Sequence, residues 1–212
     1  MGKKERYCIP LTLPFYTQRM TEQNWEEEQF PSFAEADSWT MRSCGIASLR
    51  MVLDGFGKCC ERHGAMIRKG AAAGAYKEGV GWIHKGLSDL ASEYGLYAGA
   101  VRNKSISELK QALDAGCPCI ISIAPRFWGG KPKPDGSGIY GKSGHLIPVF
   151  GYETENGEIT SFLVHHPSAF PEYDIPNWNV PIGAFTDSFG GNFIWFSEKL
   201  PAFVKEWEER EN

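Results

Sequence analysis

Cys44-Gly45 stands at the head of an apolar run, Ile46 to Leu53, and His145 opens another after Gly141-Lys142-Ser143-Gly144. A thiol becomes a useful nucleophile when its pKa is lowered, a base stands beside it and donors await the oxyanion it creates. Ile46, Leu49 and Leu53 recur at helical spacing, which puts Cys44 in the first turn of a helix. There the free backbone N–H groups and the helix dipole favour a thiolate. Ser43 is placed to cap that helix, and Gly55 or Gly57 to end it. The N–H of Cys44 would point at a developing oxyanion, and Gly45 admits a substrate backbone. His145 is the candidate base, since such pairs meet in space rather than along the chain. The run Phe162 to His166 reads as the strand returning beside the His145 strand, so His166 is the candidate group that orients the imidazole. Gln18, a side-chain amide in the N-terminal segment, is the candidate second donor to the oxyanion.

These residues need elements to hold them. Residues 7–19 alternate apolar positions and read as extended. Residues 20–40 are acidic and aromatic and read as a probable insertion with a short helix. Helical periodicity continues over residues 61–73, 81–94 and 105–115. Residues 119–124 form a short β run, and residues 125–144 are a Gly/Pro/Lys-rich loop. Residues 145–152 and 162–166 read as strands joined by the hairpin turn at Glu155-Asn156-Gly157-Glu158, with another strand near 192–196. Helices first and antiparallel strands second describe an α+β fold, a helical N-terminal half packed on a C-terminal sheet. The 212 residues suit a single domain, 1–212, with residues 205–212 a charged, frayed tail.

The bulk numbers narrow the partners. A net charge of −4 gives no general phosphate-binding surface, which argues against nucleic acid. No apolar h-region follows Lys3 and Lys4 and no long apolar stretch exists, so neither a signal peptide nor a membrane span is expected. The spacing of Cys59-Cys60 and Cys117-Pro118-Cys119 does not resemble a disulfide framework, and reduced thiols in a cytoplasm are the expected state of the six cysteines. Cys59, Cys60, His63, Cys117 and Cys119 could supply zinc ligands on paper. Adjacent cysteines strain tetrahedral chelation, so no metal and no cofactor are expected.

Gln18, the block Ser43-Cys44-Gly45-Ile46-Ala47-Ser48, the stretch Gly81-Trp82 to Leu96, Gly116-Cys117-Pro118, the block Gly144-His145-Leu146-Ile147-Pro148-Val149-Phe150-Gly151-Tyr152 and His166-Pro167 occur in an order that resembles the C39-like cysteine peptidase family of the papain-like superfamily. The likeness runs from about residue 10 to residue 196. It implies a papain-like fold, Cys44 as nucleophile, His145 as base and Gln18 as oxyanion donor. It also implies two departures. Gln18 lies farther ahead of the cysteine than in typical members, which marks residues 20–40 as inserted. The family usually has Asp-Pro where this chain has His166-Pro167, and a neutral histidine can hold the imidazole but not stabilise its cation.

The expected function is a cysteine-dependent hydrolase, peptidase or amidase, acting on a peptide or peptide-like amide. Trp25, Phe30, Phe33, Trp39 and the 125–144 loop are the candidate cleft walls. Two rivals use the same residues: a papain-like peptide-binding module without activity, and a thioester-forming acyltransferase or transpeptidase. A redox or metal protein built on the paired cysteines is a third. Each residue also has a plainer reading. Cys44 alone reads as a small core residue, Glu26-Glu27-Glu28 as a solvated face and His84 as structural. The sequence leaves the oligomeric state open.

Overall fold

The computed structural model describes residues 2–58, 61–123 and 144–211. In chain order the elements are β1 (Lys4–Cys8), α1 (Phe33–Thr40), α2 (Cys44–Gly55), α3 (His63–Ala72), β2 (Tyr76–Lys77), β3 (Gly81–Trp82), α4 (His84–Glu93), β4 (Tyr97–Val101), α5 (Ile106–Asp114), β5 (Cys119–Ile123), β6 (His145–Glu155), β7 (Glu158–His166), β8 (Ile175–Pro181), α6 (Ile182–Thr186), β9 (Phe189–Ser197) and α7 (Ala202–Glu211). The large antiparallel sheet runs β4-β9-β5-β6-β7-β8, and β1 adds to β6. Helices pack against it, which makes the fold α+β as expected.

The helix α2 is the central one. Ile46, Leu49, Val52 and Leu53 are fully buried in one core that reaches from Ile9 to Trp207. Gly45 is required by close approach: a Cβ there would lie 2.6 Å from the Trp82 ring. Only a hydrogen fits, and Trp82 therefore seals the first turn of α2. Ser48 Oγ donates to the Leu146 carbonyl at 3.1 Å and pins α2 to the start of β6. The β6–β7 hairpin turns at Asn156 and Gly157, with φ of 53° and 86°, the pair of left-handed residues that a two-residue turn demands. A full capping box between Ser105 and Glu108 starts α5.

Several expectations change. The extended 7–19 segment is a strand only at its start, as part of β1. The first half also supplies β4, so helices and strands are not cleanly divided along the chain. The tail expected to fray from residue 205 is α7 over Ala202–Glu211, because Phe203 and Trp207, one turn apart, are buried. Within the acidic run, Glu28 is not part of a solvated face. It pairs with buried Arg50 at 2.8 Å and accepts the His63 N–H at 2.9 Å. That bond ties the 20–40 segment to α2. His63 lies in the same cluster, its Nδ1 3.4 Å from Arg50 Nη1.

Cys117 and Cys119 are buried thiols, while Cys59 and Cys60 lie outside the described residues. Among the described residues no group of three or more His, Cys, Asp or Glu could hold a metal ion. No helix among them is long and apolar enough to cross a membrane.

Candidate active site

Cys44 is the first residue of α2 and is half-buried on the wall of a cavity of about 240 Å³. Ser43 precedes it without capping: its hydroxyl donates to the Gln18 carbonyl at 3.3 Å and accepts no N–H of the first turn. The helix therefore keeps free N–H groups near the sulfur. Cys44 and Ser48, one turn apart, face the two backbone polar groups of one β6 residue, Leu146. Ser48 takes the Leu146 carbonyl, and the sulfur faces the Leu146 N–H. Leu146 follows His145, so the first turn of α2 meets the start of β6 here.

The N–H groups of Leu146, Gly45 and Cys44 all favour a thiolate, yet loss of solvent outweighs them and pushes the Cys44 thiol up to about 11. The helix-start N–H groups lower the thiol pKa as expected from sequence, and burial, a property of the folded chain, outweighs them. His145 is 1% exposed, and burial drives its pKa well below the ordinary imidazole value; the neighbouring His166 adds to this, while the Pro167 carbonyl works against it. Both shifts favour the uncharged form, a thiol at Cys44 and a neutral imidazole at His145.

His166 ends β7 with its ring 4.8 Å from that of His145. Its Nδ1 lies 2.6 Å from the Tyr173 carbonyl. A carbonyl only accepts, so Nδ1 carries the proton. Burial lowers the His166 pKa to about 4. The 167–174 loop is closed further by the Ser168 N–H on Asp174 Oδ1 at 2.9 Å. The Asp174 carboxyl also takes a hydrogen bond from Thr17, which brings this loop to the segment holding Gln18. Gln18 is fully buried, its Nε2 donating to the Thr40 carbonyl at 2.8 Å. It is not on the cavity wall, and its Oε1 finds no partner among the described residues.

The cavity wall corrects another expectation. Trp25, Phe30, Phe33 and Trp39 do not line it; the β2–β3 hairpin does, through Tyr76, Val80 and Trp82. Trp39 stands behind, 4.9 Å from the Tyr76 ring. Arg42 lies over Trp39 at 4.3 Å and pairs with Glu78 across the rim at 3.1 Å. Of the 125–144 loop, residues 125–143 lie outside the described residues, and Gly144 is on the wall. Sequence reasoning also missed the backbone groups of Leu146 and Pro167, which no residue type announces.

The profile of the Peptidase_C39 like family matches residues 11–189. The chain belongs to this family. A putative C39-like peptidase from Bacillus anthracis is similar in structure, with 19% identity and a TM-score of 0.56 over 92% of this chain and 98% of that one. A double glycine motif protease from an AMS/PCAT transporter, solved in complex with the leader peptide, is similar at 18% identity and a TM-score of 0.51, covering 88% and 91%. No curated protein is significantly similar in sequence. The family and fold suggest a cysteine peptidase, and the papain-like architecture read from sequence stands. The segment from Thr21 to Thr40 falls inside the matched region, between Gln18 and Cys44.

Proposed function

We propose that this chain is a cysteine-dependent hydrolase that opens an amide bond in a peptide or peptide-like substrate, with Cys44 as nucleophile and His145 as general base. One observation carries the reading: a sulfur on a cavity wall, at an uncapped helix start, faces the N–H of the residue after His145. A peptide substrate accords with the leader peptide bound by the double glycine motif protease.

The neutral resting pair sets the order of events. His145 takes the thiol proton as sulfur bonds to the carbonyl carbon, and the carbonyl π pair moves onto oxygen. The Cys44 N–H would hold that oxyanion, whereas Gln18, buried behind the wall with its Nε2 on Thr40, stands away from it. Collapse expels the amine, which collects the proton from His145 and leaves a thioester on Cys44. Water, giving its proton to His145, then attacks the thioester and releases the acid. His166 keeps the His145 ring in place while its own Nδ1–H stays on Tyr173.

A second reading, a peptide-binding module without turnover, draws on the raised thiol and on an orienting group that is neutral. Turnover of a fluorogenic peptide library separates the two. The hydrolase reading expects cleavage that falls at least about 10³-fold in Cys44→Ala and about 10²-fold or more in His145→Ala. Binding with no cleavage by the unaltered protein would establish the second.

A further inference from the structure

The cavity beside Cys44 has a second polar centre that takes no part in the scheme above. Ser122, on β5, lines it, and its Oγ lies 2.8 Å from Nε2 of His84, the first residue of α4. Ser122 is also the cross-strand partner of Leu146, whose N–H faces the Cys44 sulfur. Hydroxyl and sulfur therefore border one space. Around them the wall mixes apolar side chains, Val80, Trp82 and Leu146, with the polar Arg42 and Glu78. A hydroxyl in such a wall spends one hydrogen bond on the imidazole and has more to give or accept.

We propose that Ser122, backed by His84, is a specificity-determining residue that hydrogen-bonds an uncharged polar side chain, a hydroxyl or carboxamide, on the substrate residue seated beside Cys44. This deepens the hydrolase reading and rests on it for the substrate being a peptide. If the serine donates to His84, its lone pairs face the cavity and accept. If the imidazole donates, the serine O–H faces the cavity and gives. A carboxamide or hydroxyl meets either arrangement. A charged side chain meets neither well. Burial and the Arg102 guanidinium lower the proton affinity of His84, so the pair stays neutral, and the rim charges Arg42 and Glu78 already neutralise each other. An apolar side chain of equal size would cover the hydroxyl without pairing it. That loss is why sites built on hydrogen bonds reject apolar analogues strongly.

The test uses N-acetyl tetrapeptide amides in which each position in turn carries Asn, Gln, Ser, Thr, Leu or Val. Binding is measured by competition with a labelled peptide on full-length protein carrying Cys44→Ala, which makes the readout independent of turnover. At one position, the polar residues should bind at least about tenfold more tightly than Leu or Val. Adding Ser122→Ala should bring that ratio to within about twofold, and Ser122→Thr, which keeps the hydroxyl, should retain it. Ser122→Cys, close in shape but a poor hydrogen-bonding partner, repeats the test should the alanine variant fail to fold. The proposal is overturned if no position shows the preference, if it survives Ser122→Ala, or if no member of the set binds. Hydrolysis by the unaltered protein is scored apart. Preference without turnover removes the Cys44 reading and keeps this one, and turnover without preference does the reverse.

Discussion

The imidazoles of His145 and His166 stand 4.8 Å apart, ring centre to ring centre, tilted by 55° and both shut off from solvent. His166 is held from behind by the Tyr173 carbonyl at 2.6 Å and edge-on by Trp178. A side chain in this place has to donate to Tyr173 and fill the space against His145. Asn can place an amide N–H where Nδ1 stands. We expect His166→Asn to keep turnover within about tenfold of the unaltered protein, and His166→Ala to lose about 10²-fold. His166→Asp has no proton for the Tyr173 carbonyl and should lower the thermal midpoint. The three kcat values and melting curves check this. Equal activity for Asn and Ala would remove the orienting role.

The raised thiol makes a prediction about a small electrophile that gains nothing from binding. The alkylation rate of Cys44 by iodoacetamide should climb through pH 9 and 10 toward the midpoint near 11, with no plateau near neutrality. At pH 7 the exposed Cys8 should label ahead of Cys44. A rate already level between pH 6 and 8 would mean a preformed thiolate–imidazolium pair.

All five histidines have pKa values lowered by burial, His63 to about 3 and His166 to about 4. The folded chain resists protonation where the unfolded chain accepts it. Stability is therefore complete above the unfolded imidazole value near 6.5 and is lost as pH falls below it, toward 4 and 3. The thermal midpoint should drop by more than about 5 °C between pH 7 and pH 5, a window in which carboxylates titrate little. Scanning calorimetry across that window measures it, and a flat profile would refute the buried neutral imidazoles.

The Glu28–Arg50 pair links the 20–40 segment to α2. The two side chains are 17% and 4% exposed, and the Arg50 guanidinium also lies over Tyr16 at 4.4 Å. Glu28→Gln leaves a buried cation without its carboxylate. Urea unfolding should show a loss of about 3 kcal/mol. A change below about 0.5 kcal/mol would make the contact an ordinary surface pair.

What the sequence made legible, and what it hid, follows from where each signal lives. The helix α2 announces itself because Ile46, Leu49 and Leu53 repeat at its period, and the β6–β7 hairpin because Asn156-Gly157 suits few other turns. The strand β8 is masked by Pro176, Pro181 and Asn177, the last at positive φ. The helix α7 is masked by its charges, which outnumber the buried Phe203 and Trp207. At the site, residue type pointed to Cys44 and His145. Burial, a property of the folded chain, then reversed the expected direction of the Cys44 shift. Which aromatics face the cavity is likewise decided by packing: Trp82 closes on Gly45, while Trp39 is left behind Tyr76.

The most direct test of the account is to react the protein with less than one equivalent of a peptidyl vinyl sulfone near neutral pH and map the adduct by tandem mass spectrometry. The account predicts modification at Cys44 ahead of the other five cysteines, and its loss in His145→Ala. An adduct on another cysteine with Cys44 untouched, or undiminished capture at Cys44 without the His145 imidazole, would contradict it.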